Sequence, residues 1–154
     1  MTDVTEGAVA PEFELAGASG PMRLTDFQGK GVVLYFYPKD DTTGCTKEAQ
    51  EFSNLSADFA KAGVSVIGVS KDSVASHAKF TAKYGLTVPL GSDAEGAVIE
   101  RYGVWVEKNM YGRKYMGIER ATFLIGKDGR LTRIWRKVKV PGHAAEVLTA
   151  AQSL

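Results

Sequence analysis

A single cysteine, Cys45, and only two histidines, His77 and His143, occur among the 154 residues. One thiol excludes an intrachain disulfide framework and any cysteine-rich metal site. Two scattered histidines do not make a zinc site either. His77 falls in a helical stretch beside Val74 and Phe80, where a hydrogen-bonded structural histidine is expected rather than a ligand. His143 follows Pro141-Gly142 at a helix start and is expected on the surface. No apolar run approaches the ~20 residues of a membrane helix. An excess of charge of one sign is also missing: 19 Lys and Arg against 18 Asp and Glu leave a net charge of +1, which argues against a nucleic-acid or membrane partner. The densest basic stretch, Arg130 to Lys139, is interleaved with Leu131, Ile134 and Trp135 and reads as a solvated strand face. Met1-Thr2-Asp3 opens on acid rather than base and is followed by no signal core, so cytoplasm is the expected location.

What is present reads as one domain over residues 1–154, since there are no repeats, low-complexity tracts or linkers. Pro11 to Leu24 alternates weakly around Gly17-Ala18-Ser19-Gly20, as a short hairpin does. Val32-Val33-Leu34-Tyr35-Phe36-Tyr37 is an unbroken β-branched and aromatic run, the pattern of a central strand buried on both faces. Ala49, Phe52, Leu55 and Phe59 then recur at helical spacing, which predicts a helix from Cys45 to about Lys61 with its stop at Gly63. Val64 to Val69 is a second buried strand. Asp72 or Ser73 caps a helix through Tyr84, stopped by Gly85. A short extended piece at 88–90 and a short helix over 93–102 follow. Residues 122–125 and 131–138 are paired strands around Lys127-Asp128-Gly129. Ala144, Val147, Leu148, Ala151 and Leu154 mark a closing amphipathic helix. After the first hairpin the order is βαβα, an insertion, then ββα. Parallel pairing of 32–37 with 64–69 needs a right-handed crossover, which the Cys45 helix supplies. The expected result is an α/β fold resembling thioredoxin: a mixed central sheet, helices on both faces, and an N-terminal β-hairpin.

Cys45 closes the run Pro38-Lys39-Asp40-Asp41-Thr42-Thr43-Gly44-Cys45 between strand and helix. It falls in the first helical turn, where unpaired N–H groups and the positive end of the helix dipole favour an anion such as a thiolate. A buried structural thiol is the usual fate of a lone cysteine. Here a polar Thr-Thr-Gly loop at a strand's carboxyl end points instead to a presented, reactive one. A dithiol oxidoreductase would need Cys-x-x-Cys, and Thr42 stands at the first of those positions.

The segment resembles the peroxiredoxin signature Pro-x-x-x-Thr/Ser-x-x-Cys, matched by Pro38, Thr42 and Cys45. Gly117-Ile118-Glu119-Arg120-Ala121-Thr122-Phe123-Leu124-Ile125 is similar to the family's arginine-bearing strand. Tyr35-Phe36-Tyr37-Pro38-Lys39-Asp40-Asp41 and Gly44-Cys45-Thr46-Lys47-Glu48-Ala49 resemble the bacterioferritin comigratory (peroxiredoxin Q) subgroup. The resemblance implies reduction of hydrogen peroxide and organic hydroperoxides, without metal, haem or flavin. Cys45 would be the nucleophile, with Thr42, Arg120 and Pro38 around the peroxide and Glu48 orienting Arg120. Singly, each residue has a plainer reading. Thr42 serves as an N-cap, Pro38 as a strand end, and Arg120 as a surface partner of Glu119 or Glu48. Gln50 occupies the position where many relatives place a resolving cysteine, so the chain resembles a one-cysteine member. The sulfenic acid then needs an external thiol reductant: thioredoxin, glutaredoxin or glutathione. The subgroup resemblance also implies a monomer. The alternative is a peroxide sensor that passes its oxidation to a partner protein.

Overall fold

Side chains that are β-branched or aromatic at nearly every position suit a strand covered on both faces. In the computed structural model, which describes residues 4–154, that run is β3 (Gly31–Phe36), buried along its whole length. The Met1-Thr2-Asp3 start lies outside the described residues. β1 (Glu14–Gly17) and β2 (Gly20–Arg23) form the expected N-terminal hairpin. β4 (Val64–Ser70) runs parallel to β3, and β5 (Leu90–Ser92) parallel to β4. β8 (Ala121–Ile125) pairs antiparallel with β3 on its other side, and β9 (Leu131–Trp135) with β8. The seven strands form one mixed sheet in the order β2-β1-β5-β4-β3-β8-β9.

Alternation along β3 divides the core in two, as the period of a strand requires. Val33 and Tyr35, with Tyr37 beyond them, pack under α1 (Thr43–Asn54), α2 (Ser56–Lys61), α3 (Val74–Tyr84) and α5 (His143–Gln152). Val32, Leu34 and Phe36 face Phe13, Leu15, Tyr102 and α4 (Ala97–Arg101). α1, α2, α3 and α5 therefore cover one face among the described residues, and α4 with the 3-10 turn Leu24–Phe27 covers the other. Among the described residues no helix is long and apolar enough to cross a membrane.

Four elements depart from the sequence-based expectation, the first being the 93–102 helix, which forms only over Ala97–Arg101. The helix from Cys45 breaks at Leu55, whose N–H reaches only three residues back to the Phe52 carbonyl while the Ser56 hydroxyl also turns back onto it. Serine back-bonding of this kind bends helices. The stretch between the helix ending at Tyr84 and the strand at 122, read as an insertion, supplies β5 to the main sheet and contains a separate hairpin, β6 (Trp105–Met110) and β7 (Arg113–Ile118). Its turn residues Tyr111 and Gly112 both take positive φ, the geometry of a tight two-residue hairpin. Most of its residues are exposed, so no buried face imposed alternation on the sequence. β9 stops at Trp135 rather than 138, because Val138 N–H leaves the ladder to donate to the Arg120 carbonyl at 3.0 Å.

Candidate active site

The register of β3 against β8 builds the site. Phe36 pairs with Ala121, so the preceding residue, Arg120, stands at the level of Tyr37, beside the loop 38–42 that leaves β3. That loop delivers Cys45 to the first turn of α1. Arg120 Nη2 donates to Cys45 Sγ at 3.3 Å, and Nη1 of the same guanidinium donates to Glu48 Oε1 at 2.7 Å. Cys45 and Glu48 lie one helical turn apart and so share a face of α1. The planar fork of arginine spans both, which a point charge does not. Gly44 leaves it room: a Cβ there would sit 3.1 Å from Arg120 Nη2, so a side chain at 44 would require the guanidinium to give by a few tenths of an ångström.

Cys45 is 2% exposed, not presented on an open loop as the polar Thr-Thr-Gly sequence implied. Arg120 lies over the sulfur, and the thiol's other neighbours belong to the core cluster under the helices. Thr42 occupies the N-cap position without capping through its side chain; its hydroxyl donates to the Lys39 carbonyl at 2.9 Å. Pro38 is half-buried two residues past the end of β3. Arg120 pairs with Glu48 inside the protein and not with Glu119, whose carboxylate takes Arg136 Nε at 2.7 Å. The basic stretch 130–139 is thus partly an ion-pairing face, with Arg133 also on Glu146.

Burial acts most strongly on the Glu48 carboxyl and raises it from 4.5 to about 7, against the pull of Arg120. The geometry supplies the reason: Oε1 has the arginine, while Oε2 is buried without a hydrogen-bond partner among the described residues. A carboxyl raised in this way binds its proton more tightly in the native state. Its contribution favours the fold at low pH and is lost as pH rises from about 4.5 to about 7. His143 works in the opposite sense. Burial lowers it from 6.5 to about 4, so stability is lost as pH falls through that window. The difference in unfolding free energy between wild type and Glu48→Gln cancels His143 and is expected to fall, on the order of 3 kcal/mol, as pH rises across the Glu48 window. Denaturant titrations across that window and above it measure this. A difference independent of pH would mean that Arg120 keeps Glu48 ionised throughout.

His143 corrects the surface reading. It is 5% exposed, with Nε2 2.8 Å from Thr122 Oγ1 and its ring edge-on to Phe52 and Trp135. It opens α5 on the face turned to the sheet. His77 is the hydrogen-bonded structural histidine expected, with Nδ1 2.7 Å from Asp40 Oδ2. Asp40, Asp72 and His77 bring potential metal-ligating atoms within 4.8 Å of one another, but these groups already bond one another and their neighbours, and the cluster is satisfied without an ion. Two neighbours of the site escaped the sequence reading. Tyr35 stacks on Phe52 and is raised well above its ordinary value by burial first, then by Glu48 and Cys45. It fits because Gly68 on β4 has no Cβ, which would fall 2.7 Å from the Tyr35 hydroxyl. Lys108, on the overlooked hairpin, is lowered by burial and then by the positive charge of Arg120. Gly112, in the turn where Tyr111 and Gly112 both take positive φ, was a weak signal for that hairpin.

The AhpC/TSA family matches residues 7–134, which include the loop, Cys45, Glu48 and Arg120. Peroxiredoxin Bcp of Bacillus subtilis is 48% identical over 149 residues, covering 96% of this chain and 95% of that protein. Peroxiredoxin Bcp of Xanthomonas campestris is 46% identical over 156 residues, covering 99% and 98%. Solved Xanthomonas campestris peroxiredoxin Q superposes with a TM-score of 0.87 at 46% identity, over 92% of this chain and 90% of that one. A further Xanthomonas structure is described as giving insight into alkyl peroxide reduction from a trapped intermediate/ligand complex. The Xanthomonas protein has been solved with either of two cysteines replaced by serine, whereas this chain has Cys45 alone. With the family match running through scaffold and site alike, the chain belongs to the AhpC/TSA family, among the Bcp (peroxiredoxin Q) peroxiredoxins, as a thiol-dependent peroxidase.

Proposed function

We propose that Cys45 is the nucleophile toward hydrogen peroxide and organic hydroperoxides, that Arg120, Thr42 and Pro38 complete its site, and that Glu48 orients Arg120. The observation that carries this reading is the one guanidinium donating to both Cys45 Sγ and the buried Glu48. In the first step the thiolate sulfur bonds to one peroxide oxygen, the O–O bond breaks, and the other oxygen leaves with a proton as water or alcohol. Arg120 and the N–H groups at the head of α1 stabilise the charge that builds on the oxygens. Thr42 has its proton committed to Lys39, so its lone pairs accept from the peroxide O–H. Pro38 walls the site without presenting an N–H of its own. The alkyl peroxide chemistry described for the Xanthomonas structure supports organic hydroperoxides as substrates.

The product is a Cys45 sulfenic acid. An external thiol attacks its sulfur, releasing water and leaving a mixed disulfide, and a second thiol then frees Cys45. Thioredoxin, glutaredoxin and glutathione all fit that step, and a cytoplasmic monomer that turns over with such a reductant is the form proposed. Gln50 cannot resolve the intermediate. Both 45 and 50 lie within α1, where five residues span about 7.5 Å of rise. With no thiol at 50 to be brought to Cys45 across that rise, α1 has no need to unwind for a 45–50 disulfide in each cycle. Stopped-flow consumption of peroxide with each reductant should show many turnovers. Mass spectrometry after one equivalent of peroxide, without thiol, should show a gain of one oxygen. A single turnover would favour the sensor alternative, which gains no support from relatives bearing peroxiredoxin names. A predominant Cys45-linked dimer would replace the external thiol with resolution between copies.

A further inference from the structure

The bond from Thr42 Oγ1 to the Lys39 carbonyl fixes which way the hydroxyl faces. The peptide unit that supplies this carbonyl, Lys39–Asp40, is anchored at its other end. Asp40 N–H donates to Asp72 Oδ2 at 2.8 Å, and the same oxygen accepts from Ser70 Oγ at 2.7 Å. The Asp40 side chain is buried, and each of its oxygens is engaged. Oδ1 accepts from the Tyr37 hydroxyl at 2.6 Å, and Oδ2 accepts from Ser76 Oγ at 2.8 Å and faces His77 Nδ1 at 2.7 Å. His77 is anchored in turn, with Nε2 3.2 Å from the Gly91 carbonyl. The next residue, Asp41, takes φ +59°, a left-handed conformation that Asp adopts more readily than most residues with a side chain. Lys83 Nζ, at 2.8 Å, and the Tyr84 hydroxyl hold its carboxylate. Ser76, His77, Lys83 and Tyr84 all belong to α3. Two adjacent carboxylates of the loop are thus gripped by one helix, and neither grip touches Cys45.

We propose that α3 positions the catalytic loop, and that His77, acting through Asp40 and the Lys39–Asp40 peptide, sets the Thr42 hydroxyl toward the peroxide. The proposal rests on the role of Thr42 given above. A cluster that merely stabilised the core would leave peroxide chemistry untouched in the folded protein. His77 as a positioning residue instead makes the cluster part of the peroxide-reducing step, without any contact between His77 and the substrate.

The test is a double-mutant cycle on single-turnover oxidation of Cys45 by hydrogen peroxide, with alkylation of Cys45 by iodoacetamide, which does not use Thr42, measured alongside. His77→Ala is expected to slow oxidation roughly tenfold, the scale of one lost hydrogen bond at a transition state. His77→Asn, which keeps a donor toward Asp40, should recover most of the rate. Alkylation should stay within about twofold, and in a Thr42→Val background the His77→Ala loss should vanish, because both residues act through one bond. Ser76→Ala, at the same Asp40 oxygen, enters the same cycle if His77→Ala fails to fold. A wild-type oxidation rate in His77→Ala overturns the proposal. So does a loss that adds in full to that of Thr42→Val, or an alkylation rate that falls in step. Thr42→Val alone at the wild-type rate would instead remove the Thr42 role on which the proposal stands, which distinguishes that failure from failure of the clamp.

Discussion

Cys45→Ser is expected to reduce peroxide turnover to the rate of the reductant alone while leaving the fold almost intact. Serine differs from cysteine by one buried atom, and its hydroxyl is not ionised at neutral pH, so no nucleophile remains. The replacement sits in the first turn of α1, packed on Ala49, Phe52 and their neighbours, where the smaller oxygen costs little packing. Arg120 keeps a hydrogen-bond acceptor near the old sulfur position and keeps Glu48. Peroxide consumption with a thiol reductant, beside a thermal melt of the same preparation, measures both parts. Turnover near the wild-type rate in the serine variant would end the assignment of Cys45.

Arg120→Lys should cost roughly 10²–10³ in the rate of Cys45 oxidation although it keeps the charge, the scale of losing one oriented oxyanion donor. The guanidinium reaches the sulfur with one nitrogen and Glu48 with another. A single ammonium meets one of these demands and abandons the other. If it turns to Glu48, the sulfur loses its donor. If it turns to the sulfur, Glu48 stays buried with neither oxygen paired among the described residues, since Oε2 has no partner there already. Stopped-flow oxidation by hydrogen peroxide without reductant isolates this step from regeneration. Full activity in the lysine variant would make Arg120 an ion-pair residue outside the chemistry.

Local features of the site were legible because they depend on neighbours in the chain. Pro38, Thr42 and Cys45 lie within one turn and one helical start, so their spacing alone places them together. The continuous apolar runs of β3 and β4 and the helical period of Ala49, Phe52 and Phe59 likewise needed no tertiary knowledge. Arg120 is 75 residues from Cys45, and only a family resemblance named it in advance. Glu48 was named as its partner from its place one helical turn past Cys45, but the burial of that pair and the loss of Glu119 to another cation were decided by the tertiary structure. Glu119 and Arg120 are adjacent residues just before β8, where consecutive side chains diverge, and Glu119 is taken by Arg136.

The sequence by itself determined the α/β order of elements, the strand–loop–helix unit that carries Cys45, and the absence of a second thiol to resolve its oxidation. These follow from periodicity, turn chemistry and composition, which act over a few residues at a time. Tertiary structure decided the rest. The pairing of Phe36 with Ala121 brought Arg120 to the sulfur. The packing of α5 and α1 buried His143 and Cys45, both expected nearer to solvent. The approach of α3 to the loop joined Asp40 to His77, and Asp41 to Lys83 and Tyr84. Such contacts form between faces whose partners are chosen by sheet register and helix docking, and no window of sequence contains both sides of the contact.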